Sequence, residues 1–229
     1  MKNATTTKRF IKSMKSINDF CSVSDGNKKL KSNENVRFLI FNIPAVNTCP
    51  FRTVLCEGAC YAIKAETVYP DVLPSRHRNF EFTKSPIFVD VMSEYIKLVS
   101  ENERKRKNRK IWFRIHESGD FYNRTYFLKW VQIAKNNPDV LFFAYTKSIA
   151  FINPSELPEN LVIRASIWAD TREYLRKESF EKYPIYTAFE KTELEKALNN
   201  GYELCECKDC ATCGKCYDRN VKLIACEIH

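Results

Sequence analysis

Eight of the ten cysteines lie in two short blocks, a distribution that favours metal binding over disulfide pairing. They are Cys49, Cys56 and Cys60 in the first block, and Cys205, Cys207, Cys210, Cys213 and Cys216 in the second. A metal centre needs several converging thiolates, and gaps of one to six residues allow this. Disulfide frameworks are typical of short secreted chains, whereas 229 residues suffice for a buried core. The blocks therefore predict an intracellular metalloprotein.

The first block predicts a metal centre with an open coordination position. A four-iron cluster takes four ligands, and residues 49–60 supply three thiolates. One iron would then face a substrate, a cofactor or a distant ligand. A [4Fe–4S] cluster is the favoured interpretation of this block. A structural zinc ion with a fourth ligand from elsewhere is the alternative.

The second block has five cysteines, one more than a cluster needs. Repeated gaps of two residues let neighbouring thiolates face one centre, as in ferredoxin loops, and a zinc ribbon is the alternative. One of these cysteines is therefore spare, or it completes the first site. Cys21 stands apart and is interpreted as an ordinary residue. Cys226 alternates with Leu223 and Ile228, which predicts a core position in a strand.

Strands and helices alternate along the chain. Runs of branched and aromatic residues predict strands at 36–43, 111–115, 140–145, 161–167, 185–189 and 221–228. Helical periodicity between most of them indicates βαβ units, hence an α/β barrel or a doubly wound sheet. The forty residues after the first strand are predicted to be irregular. We expect a partial (βα)6 TIM-like barrel at 34–200, after a basic segment at 1–33 and before a cysteine-rich segment at 201–229.

Polar residues follow the predicted strands, and chemistry in α/β barrels occurs where strands end. His116, Glu117 and Asp120 follow the second strand. They are candidates to bind a metal, transfer protons or hold the amino group of an adenosylmethionine; loop hydrogen bonding and helix capping are the alternative. Lys147 follows the third strand and is a candidate to hold a phosphate or carboxylate. A solvated turn is the alternative there.

The net charge of +9 is concentrated in residues 1–31 and in the run 104–110. Such basic segments bind phosphate backbones through counterion release, although cations are also favoured at helix C-termini. The candidate nucleic-acid- or anion-binding residues are Arg76, Arg78, Arg104, Lys105, Arg106 and Lys107. The N-terminus lacks the apolar stretch of a secretory signal, and no apolar run could span a bilayer. A cytoplasmic location without membrane contact is expected.

Several segments together carry a family resemblance. They are FNIPAVNTCP, CEGACYA, RHRN, RIHESGDFY, AYTKS and a terminal C-x2-C-x2-C followed by a strand ending in His229. In this order they resemble the phage-associated gene product 88 family over most of residues 36–229. The resemblance implies a phage, prophage or plasmid origin and a barrel that looks related to radical S-adenosylmethionine enzymes. It also implies two ligand sets, Cys49, Cys56 and Cys60, and Cys205, Cys210, Cys213 and Cys216, with Cys207 as an extra member.

Radical S-adenosylmethionine enzymes hold their cluster in the loop after the first barrel strand, and the first block is similar in position. Its spacing differs, because six and then three residues separate the cysteines instead of three and then two. The leading hypothesis is an iron–sulfur enzyme that binds S-adenosylmethionine and takes electrons from a ferredoxin or flavodoxin. The rivals are a cluster-stabilised nucleic-acid-binding protein or nuclease and a zinc-stapled interaction module.

Overall fold

The computed structural model describes residues 17–206 and 208–228, and they form a mixed α/β fold around one sheet of eight strands. The strands are β1 Val23–Ser24, β2 Val36–Phe41, β3 Lys110–Ile115, β4 Leu141–Thr146, β5 Leu161–Ile167, β6 Ile185–Phe189, β7 Glu203–Leu204 and β8 Leu223–Glu227. Their order is β1-β2-β3-β4-β5-β6-β8-β7. Only β1 runs antiparallel to its neighbour among these described pairs. The predicted α/β class and its parallel sheet are confirmed.

Helices connect most of the strands. They are α1 Val54–Gly58, α2 Tyr61–Val68, α3 Val72–Lys84, α4 Phe88–Lys107, α5 Arg124–Asn136, α6 Glu173–Lys182, α7 Lys191–Asn199 and α8 Cys210–Cys213. The prediction of an irregular segment after the first strand was wrong, because α1, α2 and α3 lie there. These helices show weak apolar periodicity: α2 buries only Ala62, and α3 buries the polar side chains of Arg76 and Asn79.

The two faces of the sheet are covered by different parts of the chain. Side chains such as Leu39 and Phe113 point into the larger core, which helices α3 to α6 complete. Their neighbours Phe38 and Phe143 point the other way, into a smaller core closed by Tyr217 from the cysteine-rich segment. Strands buried on both faces read as continuous hydrophobic runs, which explains why they were predictable from sequence.

The N-terminal and C-terminal segments also belong to this sheet. Cys21 is fully buried in the larger core, and β1 pairs with β2 directly after it. Strand β8 pairs with β6 and places Cys226 in a buried position, as its sequence pattern predicted. No helix in the described part of the chain is both long and apolar enough to cross a membrane.

Candidate functional site

The first cysteine loop, residues 49–60, follows β2 and crosses the edge where the parallel strands end, which we call the carboxyl-end rim. Cys49 lies in a turn in which its amide donates to the carbonyl of Val46, at 3.0 Å. Cys56 lies in α1, where its amide donates to the hydroxyl of Thr53 at 3.2 Å. Cys60 is the N-cap residue directly before α2. The turn and the two helix starts therefore fix the backbone of all three cysteines.

The three thiols and one carboxylate share a neighbourhood. Burial raises the pKa of Cys49 to about 12. The charges of Asp120, Cys56 and Cys60 add to this effect, because a further negative charge beside them is disfavoured. The thiols of Cys56 and Cys60 are therefore near enough to Cys49 for their charges to affect it.

This group has no preformed site for a single ion. Among the described residues, no three His, Cys, Asp or Glu side chains lie close enough to hold one metal ion. A zinc ion needs each thiolate at about 2.3 Å. A polynuclear cluster binds each thiolate to a different iron, so its ligands are spaced more widely. Three thiols suit either a cluster with one open position or a zinc ion that takes a fourth ligand from elsewhere.

The carboxylate of Asp120 links two segments at the carboxyl-end rim. Its buried carboxylate accepts hydrogen bonds from the hydroxyl of Thr146 at 2.5 Å, from the amide of Lys147 at 2.9 Å and from the amide of Phe121 at 2.7 Å. Burial raises the pKa of Asp120, and these hydrogen bonds oppose the rise. The carboxylate therefore connects the loop after β3 to the end of β4, and its charge acts on Cys49.

His116 lies in the core between sheet and helices. Its ring is 2% exposed, packs against Phe121 and Trp130, and its Nε2 lies 2.8 Å from the hydroxyl of Tyr126. Burial lowers the pKa of His116 to about 3, and the charge of Arg114 contributes. The sequence predicted His116 at the carboxyl-end rim. Its neutral imidazole lies instead in this core, away from the rim.

Glu117 lies at the junction between the first cysteine loop and the end of β3. Its half-buried carboxylate accepts a hydrogen bond from the side chain of Asn27. Its amide donates to Asn42 at 2.7 Å, and its carbonyl accepts from the hydroxyl of Tyr61 at 2.7 Å. Because Tyr61 directly follows Cys60, Glu117 contacts the chain immediately after the first cysteine loop.

A cavity of about 300 Å³ opens beside the first cysteine loop, where β4 and β5 end. Lys147 lines it and donates from Nζ to the hydroxyl of Ser166, at 3.0 Å. Asp170 lines it from the opposite side and accepts from the amide of Leu55 in α1, at 2.9 Å. Asp170 thereby ties the loop after β5 to the helix that carries Cys56. Sequence analysis singled out Lys147 but not the contact of Asp170, which depends on residues far apart in the chain.

The second cysteine block covers the face of the sheet opposite the helices. Cys210 and Cys213 are the ends of α8, whose first turn is capped by the carboxylate of Asp209. Cys216 packs on the smaller core with Cys210, and burial raises its pKa. Cys207 lies outside the described residues.

Arg164 of β5 holds this block in place. Its guanidinium is fully buried and donates to four backbone carbonyls, at distances from 2.6 to 2.9 Å. The four carbonyls belong to Lys215, Cys216, Asp218 and Val221. Sequence analysis missed Arg164, although an arginine inside the hydrophobic run LVIRASI was a detectable signal.

The chain is similar in sequence to known phage proteins over most of its length. The family model described as "Gene product 88" matches residues 21–219, a range that includes both cysteine blocks. The chain belongs to the gene product 88 family. Relatives in this family include the "Gene 88 protein" of Mycobacterium phage L5, 31% identical over 193 residues, or 76% of this chain and 80% of the relative. The "Gene 88 protein" of Mycobacterium phage D29 is 32% identical over 103 residues, or 44% of this chain and 42% of the relative.

These matches confirm the family that the sequence motifs indicated. No solved structure matches the chain. The relation of the gene product 88 family to radical enzymes, and the metals at the cysteine blocks, stay predictions.

The predicted basic residues of this gene product 88 protein do not gather at the rim. Arg76 is buried and forms an ion pair with Glu66 at 2.7 Å, and Arg78 donates to the hydroxyl of Ser22 at 2.8 Å. The exposed run 104–107 ends α4 just before β3 begins, so it lies at the opposite edge of the sheet from the cysteine loop. Arg104 lies 3.6 Å from the carboxylate of Asp139.

Proposed function

We propose that this protein binds an iron–sulfur cluster through Cys49, Cys56 and Cys60, with one open coordination position. The supporting observation is that the three cysteines lie on one loop at the carboxyl-end rim, beside a cavity, and that the charges of Cys56 and Cys60 act on Cys49. Three thiolates leave one position of a four-iron cluster unfilled. A cluster bound there supplies an electron-transfer and ligand-binding centre. Asp170 holds the cysteine loop through the amide of Leu55, and Lys147 and Ser166 line the adjoining cavity. Asp120 fixes the end of β4 at the same rim.

We also propose the specific fold that the sequence predicted, a partial (βα)6 barrel of the radical-enzyme type. Strands β2, β3, β4, β5, β6 and β8 are parallel and adjacent in chain order. Right-handed crossovers between such strands put all helices on one face, as in α/β barrels. The first cysteine loop follows the first strand of this series. S-adenosylmethionine is then the proposed ligand of the open position, with a ferredoxin or flavodoxin as electron donor.

A second cluster on Cys205, Cys210, Cys213 and Cys216 completes the proposal. The turn of α8 and the left-handed Gly214 bring three of these cysteines onto one short segment, which Arg164 fixes to the sheet. This segment lies on the sheet face away from the helices, so its cluster would have a structural or electron-transfer role.

Metal analysis of protein purified and reconstituted anaerobically tests the proposal. We expect wild-type protein to contain iron and acid-labile sulfide. A variant with Cys49, Cys56 and Cys60 all changed to serine should lose roughly half of both. Cys21→Ala is the matched control, because Cys21 is buried in the core away from both blocks; it should retain the wild-type iron content. Zinc without iron or sulfide would establish the zinc-stapled module instead.

The proposed cleavage of S-adenosylmethionine is tested by a separate measurement. Wild-type protein loaded with cluster is reduced with dithionite in the presence of S-adenosylmethionine, and 5′-deoxyadenosine is quantified. We expect its formation in the wild type and its loss in the triple serine variant. A loaded, reduced protein that forms none would remove the radical chemistry and leave cluster binding intact.

Nucleic-acid binding is a second candidate function, favoured by the exposed basic run at the end of α4. A surface that neutralises phosphates releases counterions, so binding to duplex DNA should weaken steeply with salt. Changing Lys105 and Lys107 to glutamate should abolish this binding at moderate salt. A salt-independent response, or an unchanged affinity in the variant, would refute this candidate.

A further inference from the structure

We propose that the cavity beside the first cysteine loop is a binding site for a small organic anion, held by Lys147 through a carboxylate or phosphate group. The cavity measures about 300 Å³ and lies where β4 and β5 end. This volume is at the lower bound of known small-molecule sites, and α/β folds bind ligands at this end of their strands. The inference goes beyond the proposed function, because anion binding requires no cluster.

Charge supports an anionic ligand. Three cationic side chains line the cavity, from Arg52, Lys147 and Arg172, against one carboxylate, from Asp170. Arg52 is already paired with Glu57 at 2.7 Å. Asp170 is engaged by the amide of Leu55. With Arg52 paired, Lys147 and Arg172 remain as cations of the lining, against the carboxylate of Asp170.

Lys147 forms no close ion pair among the described residues, although its charge acts on the carboxylates of Asp120 and Asp170. Within residues 17–206 and 208–228, no carboxylate lies within 4.0 Å of its ammonium group. One of its three donors is used by the hydroxyl of Ser166, at 3.0 Å, and its Nζ lies 5.3 Å from the centre of the Trp168 ring. The remaining donors can point at a ligand held in the cavity.

Ser166 adds a second, geometrically fixed donor. Its side chain is nearly buried, and its oxygen accepts the hydrogen bond from Lys147. The hydroxyl proton is then free to point to a ligand oxygen. An ammonium just after β4 and a hydroxyl on the adjacent β5 can recognise two oxygens of one carboxylate or phosphate group. Pro50 to Val54 of the cysteine loop form the facing wall, so the ligand would contact the segment that carries the cluster ligands.

Calorimetric titration with inorganic phosphate and with succinate, at constant ionic strength, tests the site. We expect saturable one-to-one binding of at least one anion by the full chain, both metal-free and loaded. The anion with the higher affinity identifies which group the site takes. Lys147→Met should weaken that binding about 10-fold, because it removes one charge-assisted hydrogen bond and keeps the side-chain stem. Ser166→Ala should weaken it less.

Lys105→Met is the matched control, because it removes the same charge from the exposed run at the opposite edge of the sheet. It should leave the affinity unchanged. Absence of saturable binding to the wild type, or equal affinity in Lys147→Met, would overturn the inference. A loss in Lys105→Met alone would assign the anion to the basic run. Iron and sulfide measured on the same samples report separately on the cluster.

Discussion

Arg164→Met is expected to lower the free energy of unfolding by about 3–5 kcal/mol, as measured by denaturant titration. The guanidinium is 0% exposed and donates to four backbone carbonyls of residues 215–221. Methionine fills much of the same space but donates no hydrogen bond. Each buried carbonyl left without a donor costs about 1–3 kcal/mol, and movement of the segment towards water recovers part of this.

The same substitution should release the second cysteine block from the sheet. Trp112 packs against Tyr217 of this segment, with ring centres 4.4 Å apart. Detachment would expose Trp112 to water and shift tryptophan emission to longer wavelength. If clusters are bound, the variant should lose the iron of the second cysteine block. The iron held by the first cysteine loop should remain, because that loop lies at the rim and has no hydrogen bond to Arg164 among those of the described residues.

Arg219→Met is the matched control on the same segment. Arg219 also donates to two backbone carbonyls, of Pro158 and Leu161, but its side chain is exposed. Water can replace these hydrogen bonds, so we expect a loss below about 1 kcal/mol. Arg164→Lys should give an intermediate loss, because lysine keeps the charge but has fewer donors in a different geometry. Equal losses in both methionine variants would contradict the role assigned to Arg164.

The sheet was predictable from sequence because its strands are buried on both faces. The hydrophobic runs 36–43, 140–145 and 161–167 overlap β2, β4 and β5 closely. Helices α4 and α5 were predictable for a similar reason, since each buries one apolar stripe. Helices α1 to α3 lack such a stripe. Their positions depend on polar contacts between distant residues, such as those of Asn79 with Ser22 and Asn42, which a single sequence does not reveal.

The rim was predictable only in part. Asp120 and Lys147 lie there because they follow strands of a parallel sheet, as the sequence indicated. His116 also follows a strand, and simple alternation after Ile115 would put its side chain on the same face as Arg114. Its backbone instead adopts a left-handed conformation with φ of 67°. This turns the ring into the helix-facing core, and such a φ at a residue other than glycine has no clear sequence signal.

His116→Asn should remove the part of the pH dependence of the unfolding free energy that comes from protonation of His116. Burial lowers the pKa of His116 from its ordinary value of 6.5 to about 3. Protonation therefore favours the unfolded chain. The stability that the neutral ring contributes is fully present above pH 6.5 and is lost as the pH falls towards 3. Between these limits the loss is about 1.4 kcal/mol per pH unit, and over the window it is on the order of 5 kcal/mol.

Asparagine suits this test because it tolerates a left-handed backbone and does not titrate. The variant should be less stable than wild type at pH 7, since it loses the hydrogen bond to Tyr126 and part of the packing against Phe121. Its deficit should shrink as the pH is lowered from 6.5 to 4.5, because only the wild type then loses the contribution of a neutral His116. Carboxylates titrate in both proteins, so their effects cancel in the difference.

His77→Asn is the control, since His77 is exposed on α3. That variant should follow the pH dependence of the wild type. A deficit of His116→Asn that stays constant between pH 6.5 and 4.5 would mean that the ring takes up a proton in the folded state. Protonation without loss of stability would require the ring to leave the core, with its hydrogen bond to Tyr126 broken. Its nuclear magnetic resonance signals, followed over the same pH range, distinguish a neutral buried ring from a protonated exposed one.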